Sequence, residues 1–90
     1  MANIKFLLGQ LVMTRGITEW TERGFDVCPY LRRHMTGDWG DLEADDKHLN
    51  DEALHGESRI FSAYQTPQGK IWIITEADRS ATTALLPDEY

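Results

Sequence analysis

The run His34-Met35-Thr36-Gly37-Asp38-Trp39-Gly40-Asp41 holds an imidazole, two carboxylates and an indole, with a glycine on each side of Asp38-Trp39. Such a loop could bind a ligand or anchor a partner, because loop aromatics often carry interface energy. The same residues also spell a helix boundary. Gly37 fits a C′ position, Asp41 fits the next N-cap, and Trp39 then folds over the core. Capping is the favoured account, since glycine and aspartate are the expected residues at helix ends.

A second candidate is Thr75-Glu76-Ala77-Asp78-Arg79-Ser80. A polar loop between two apolar runs is held on a rigid base. Arg79 could take a carboxylate or phosphate, and Glu76 with Asp78 could take a cation. The plainer account is a self-satisfied turn, with Asp78 on nearby backbone N–H groups and Arg79 on Glu76. The candidate binding residues are therefore His34, Asp38, Trp39, Asp41, Glu76, Asp78 and Arg79.

Other chemistry finds little support. Asp41, Asp45 and His48 have helical spacing, but no second His-rich element completes a metal site, so none is expected. The lone Cys28 stands six residues from His34 and has no placed base, so no thiol nucleophile is expected. Serine-hydrolase elbows, phosphate-binding loops and Gly-x-Gly-x-x-Gly are absent. No catalytic residue and no cofactor is assigned.

Ninety residues give room for one domain with one core. Net charge is −6, and it is unevenly placed. Residues 38–57 carry eight acidic side chains against Lys47 alone, or −7, which leaves the rest at +1. An acidic surface repels phosphates, so no double-stranded nucleic acid partner is expected. The plain account of the run is a solvated helix face. One cysteine makes no internal disulfide, and no apolar run reaches the length of a signal or membrane segment. A cytoplasmic location is expected.

The elements that must position these residues can be read from periodicity and punctuation. Gln10–Thr14 reads as a short strand. Thr18 reads as the cap of a helix through Trp20 to Arg23, ended by Gly24. A second helix has Pro29 in its first turn and stops near Gly37. Asp41 reads as the cap of a third helix, whose Leu42, Leu49, Ala53 and Leu54 share one face. Arg59–Gln65, Lys70–Thr75 and Ala81–Leu86 read as a meander, with a type I turn at Thr66-Pro67-Gln68-Gly69. The fold class is α+β: two to three short N-terminal helices on an antiparallel meander of three strands, plus a short N-terminal strand.

In Ile71-Trp72-Ile73-Ile74 both alternating faces are apolar, so both faces of the central strand need cover. The helices suit one face. Within the chain, only residues 3–14 are left to cover the other: if they cross it the protein can be monomeric, and if they join the sheet edge instead a second copy is needed; a homodimer is the expected solution. Trp72, among isoleucines, is expected to be buried, and Trp39, between glycines, to be the more exposed.

Several stretches resemble a known group. They are Leu8-Gly9-Gln10, Val12 with Thr14 and Gly16, Arg33-His34 with Gly37-Asp38-Trp39-Gly40, and Asn50-Asp51-Glu52-Ala53-Leu54. Ser62-Ala63-Tyr64 and the tail from Ile71 through Ser80 to Glu89-Tyr90 add to them. Together they resemble small plasmid-related proteins of bacterial plasmids and integrative elements. Some members carry the label "type I restriction subunit M"; a methyltransferase needs a far longer cofactor-binding domain and a Gly-rich loop absent here. The resemblance implies an accessory role on a mobile element, such as countering host defence. The expected function is thus a protein-binding module acting through an acidic surface. The alternative is a small-ligand or enzymatic domain using the loops around Trp39 and Arg79.

Overall fold

A computed structural model describes residues 3–56 and 58–90. Three helices, α1 (Arg15–Glu22), α2 (Cys28–Met35) and α3 (Ala44–Ala53), accompany four strands, β1 (Gln10–Met13), β2 (Ile60–Thr66), β3 (Gly69–Thr75) and β4 (Ala81–Leu85). The sheet order is β1-β4-β3-β2. β2, β3 and β4 form the antiparallel meander, and β1 joins β4 in parallel. The fold is the α+β arrangement expected.

Register decides which side chains share a face. Ile60 pairs with Thr75, Ser62 with Ile73, Tyr64 with Ile71, and Ile73 with Ala84. All of these point to one side and are buried. Ile17 of α1 and Leu31 of α2 close over Tyr64, Ile71, Ile73 and Ala84. A smaller cluster joins Trp39, Ala53 and Ile60, with Phe6, Leu42 and Leu54 against it. Residues 3–9 run along this same side: Phe6 stands edge-on to His34, and Leu8 touches the main core.

The second sheet face is covered by the other end of the chain. Tyr90, after a 3-10 turn at Pro87–Glu89, stacks edge-on against Trp72, which meets Phe61 in turn. Residues 3–14 therefore do not cross this face. The cover is thin: Ile74 and Leu85 are buried, while Phe61 and Trp72 are only half-buried. The expected order of the tryptophans is reversed. Trp39 is 4% exposed and is the more buried of the two. Its indole lies under Phe6, a contact between residues far apart in sequence.

Two helix starts also differ from expectation. α1 begins at Arg15 rather than after Thr18, because its free N-terminal groups are met from the far end of the chain. Glu89 accepts from the Thr14 hydroxyl and from Gly16 N–H. A carboxylate there suits the positive end of the helix. α3 begins after Glu43, and Asp41 instead gives its backbone N–H to Ala63. Leu49 is 60% exposed and leaves the expected apolar stripe. Asn50 turns inward in its place, accepting from Phe61 N–H and donating to Phe61 C=O.

Gly40 forms an isolated parallel bridge with Ala63 on the outer side of β2. Its φ is +78°, and a Cβ there would lie 1.9 Å from the Ala63 carbonyl oxygen. Only glycine fits.

Candidate functional site

His34 is fully buried, and both ring nitrogens are committed. Nδ1 meets the Ser62 hydroxyl, and Nε2 lies 2.9 Å from the Thr75 hydroxyl. Thr75 then meets Thr82 at 2.7 Å, and Thr82 donates to the Leu8 carbonyl at 2.7 Å. The terminal carbonyl can only accept, which sets the direction of the whole chain. Thr82 donates to Leu8, Thr75 to Thr82, and His34 Nε2–H to Thr75. Nδ1 must then accept from Ser62. Burial pushes the imidazole pKa down to about 3, in keeping with a neutral ring. This histidine holds helix α2 to the sheet and has no free nitrogen for proton transfer or metal.

The remaining candidates of the first loop are used similarly. Trp39 Nε1–H donates to Asp51 at 3.0 Å. Asp38 takes two bonds from Arg33, at 2.7 and 3.3 Å, and the Arg33 side chain holds its carboxyl below the usual range. Arg33 lies over the Tyr64 ring at 4.5 Å, and the Tyr64 hydroxyl donates to the Asp38 carbonyl. Burial pushes the Tyr64 hydroxyl up to about 12. The Asp41 side chain stays exposed.

Arg79 is held in the left-handed region at φ +62°. Its guanidinium donates to the carbonyls of Ser58, Glu76, Ala77 and Ala53. Ala53 is the last residue of α3, so the cation sits at the negative end of that helix. Glu76 pairs with Arg59 at 3.2 Å rather than with Arg79. Asp78 accepts from Ser80 N–H at 2.9 Å, as expected of a turn aspartate. The two loops approach one another around Phe6, which touches His34 and Trp39 and lies 6.0 Å from the Arg79 guanidinium. Phe6 and Trp39 belong to the same packed cluster there, with Ala53 and Ile60.

Arg79→Ala is expected to cost about 2–3 kcal/mol, because charge-assisted bonds to four carbonyls, three of them part-buried, are lost together. Arg79→Gly should cost about 1 kcal/mol less, since glycine removes the left-handed penalty. Urea denaturation of both variants checks the order; equal losses would show that backbone strain plays no part.

What remains open is elsewhere. Asp45, Asp46, Asp51 and Glu52 of α3 are exposed, and Glu43 and Asp41 extend the acidic surface before the helix. Beside α3 an open groove of about 330 Å³ is lined by Leu42, Asp46, Leu49, Asn50, Arg59 and Phe61. A second groove, of about 210 Å³, continues past Arg59 along Ile74, Thr83 and Leu85 to Tyr90. Neither is lined by His34, Trp39 or Arg79. Asn50, Arg59 and the inner hydroxyls were not singled out from sequence. Ser62, Thr75 and Thr82 carried a usable signal, because their strand parity places them with the inward-facing isoleucines. Among the described residues no group of three His, Cys, Asp or Glu side chains could hold a metal, and no helix is long and apolar enough to cross a membrane. No family model, curated protein or solved structure matches this chain.

Proposed function

We propose that the chain is a non-catalytic protein-binding module that takes a basic, partly apolar segment of its partner on the acidic α3 face and the adjoining groove. The observation that carries this reading is the contrast between two sets of residues. The candidate chemical groups His34, Trp39 and Arg79 are spent inside the fold, while the carboxylates of α3 stand in solvent beside exposed Leu49. An apolar centre with a charged rim is the usual build of a protein interface. The acidic rim selects a cationic partner and speeds its approach. An accessory role on a mobile element, including interference with a host defence protein, is the setting that the family resemblance suggests.

The triple variant Asp45→Asn, Asp46→Asn, Glu52→Gln tests this without touching Asp51, which holds Trp39. Wild-type chain immobilised in native host lysate should retain a partner that added salt releases and the variant fails to hold. That partner, purified, should bind the variant at least ~10-fold more weakly by calorimetry, about 1.4 kcal/mol. Equal retention by both chains would remove the acidic face from the interface.

A further inference from the structure

The two edges of the sheet are treated in opposite ways. At the β2 edge the outward backbone of Phe61 and Ala63 is occupied. The Asn50 amide takes both groups of Phe61, and the Trp39–Asp41 segment takes both groups of Ala63. At the β1 edge no described strand lies beyond. Gln10 N–H donates to Ser80 and Thr14 N–H to Ala84, so alternate residues of β1 face β4. By that parity Val12 faces β4 as well, and the N–H and C=O groups of Leu11 and Met13 face outward.

This edge lacks the usual protections. It has no proline, no charged residue and no bulge across its four paired positions. Seven large apolar side chains are exposed among the described residues, and five of them, Ile4, Leu7, Leu11, Val12 and Met13, lie within ten residues. We propose that β1 pairs with β1 of a second copy, antiparallel about a two-fold axis through Val12, to make one continuous sheet.

The choice of a second copy rests on self-complementarity. Leu11 and Met13 are symmetric about Val12, so Leu11 stands opposite Met13 of the partner subunit. Both residues then exchange N–H and C=O bonds, and every outward group of this pair is met. Val12 meets the partner's Val12 as a non-hydrogen-bonded pair, Cα atoms ~4.5 Å apart, where β-branched side chains touch. The strand is uncharged, so self-pairing brings no like charges together. The acidic α3 lies beside β2, at the far edge of each sheet. The two β2 strands end up roughly 34 Å apart by ordinary strand spacing, with the acidic helices carried outward.

Sedimentation velocity on the full chain, across a concentration series, tests this through mass alone. It is therefore independent of any partner bound at α3. Wild type should dimerise. Val12→Glu and Val12→Lys, whose side chains are partly solvent-facing already, should each keep the wild-type circular dichroism and weaken self-association about 100-fold or more. Mixed together they should associate again, because residue 12 faces itself. In a Cys28→Ser background Val12→Cys should form an intermolecular disulfide when oxidised glutathione is added as the oxidant. A wild type that stays monomeric, a dimer that survives Val12→Glu, or a Glu/Lys mixture that stays apart would each overturn the proposal.

Discussion

Folding stability should fall by about 2 kcal/mol as pH is lowered from 7 to 5, through His34 alone. In the unfolded chain this histidine titrates near its ordinary 6.5, whereas burial holds it down to about 3 in the folded state. Between those values the unfolded state binds a proton that the folded state refuses, so stability rises with pH. The contribution is complete above about pH 6.5 and is lost progressively at ~1.4 kcal/mol per unit as pH falls towards 3. Asp38 and Glu89 add losses of the same sign lower down, since both carboxyls are held below their ordinary values in the fold. The window from pH 7 to 5 separates His34 from them. Urea titrations across that window measure the slope. His34→Gln should flatten it whatever its own baseline stability. Nitrogen chemical shifts of the imidazole should show a fixed Nε2–H tautomer through the same range. A ring that titrates near 6.5 in the folded protein would show that the hydroxyl chain does not hold it neutral.

The meander was legible because its signals are local. Thr66-Pro67-Gln68-Gly69 carries a turn by itself, and Ile71-Trp72-Ile73-Ile74 announces a strand buried on two sides. The helix starts were less legible because their causes are remote. α1 is capped by Glu89, which is 73 residues from Gly16. α3 turns Asn50 inward because an edge strand offers it a free peptide group, and no periodicity of α3 shows that strand. The second sheet face was correctly expected to need cover, but an Ile-rich strand does not show whether the first or last residues supply it.

The candidate site was legible in part as structure rather than as chemistry. Gly37 and Gly40 do adopt positive φ, and Asp78 does close its own turn. His34 could have been placed by parity. Ser62, Thr75 and Thr82 face inward with the isoleucines, and hydroxyls at fully buried positions require a partner with both a donor and an acceptor. A neutral imidazole supplies both. Arg79 was harder to place, because its four carbonyl partners come from three segments that only the fold brings together.

Trp39→Ala should be among the most damaging single substitutions in the chain, costing about 3–5 kcal/mol. The indole is 4% exposed, closes the smaller core cluster with Ala53 and Ile60, and touches both Phe6 and His34. Removing it opens a cavity against the hydroxyl-linked histidine and unseats the N-terminal segment that holds Phe6. It also leaves Asp51 without its indole donor, a small loss because that carboxylate is already in solvent. Trp39→Phe separates these terms. It keeps most of the ring volume, so it should recover more than half of the loss. Trp72→Ala should cost less than Trp39→Ala, since Trp72 is only half-buried, between Phe61 and Tyr90 on the thinly covered face. A domain of this size holds only about 5–15 kcal/mol in total, so Trp39→Ala should approach the unfolding threshold at physiological temperature. Thermal and urea unfolding of the three variants give the ranking, and iodide quenching of single-tryptophan chains gives the exposures behind it. A Trp72→Ala loss equal to or above that of Trp39→Ala would reverse the assignment of the core.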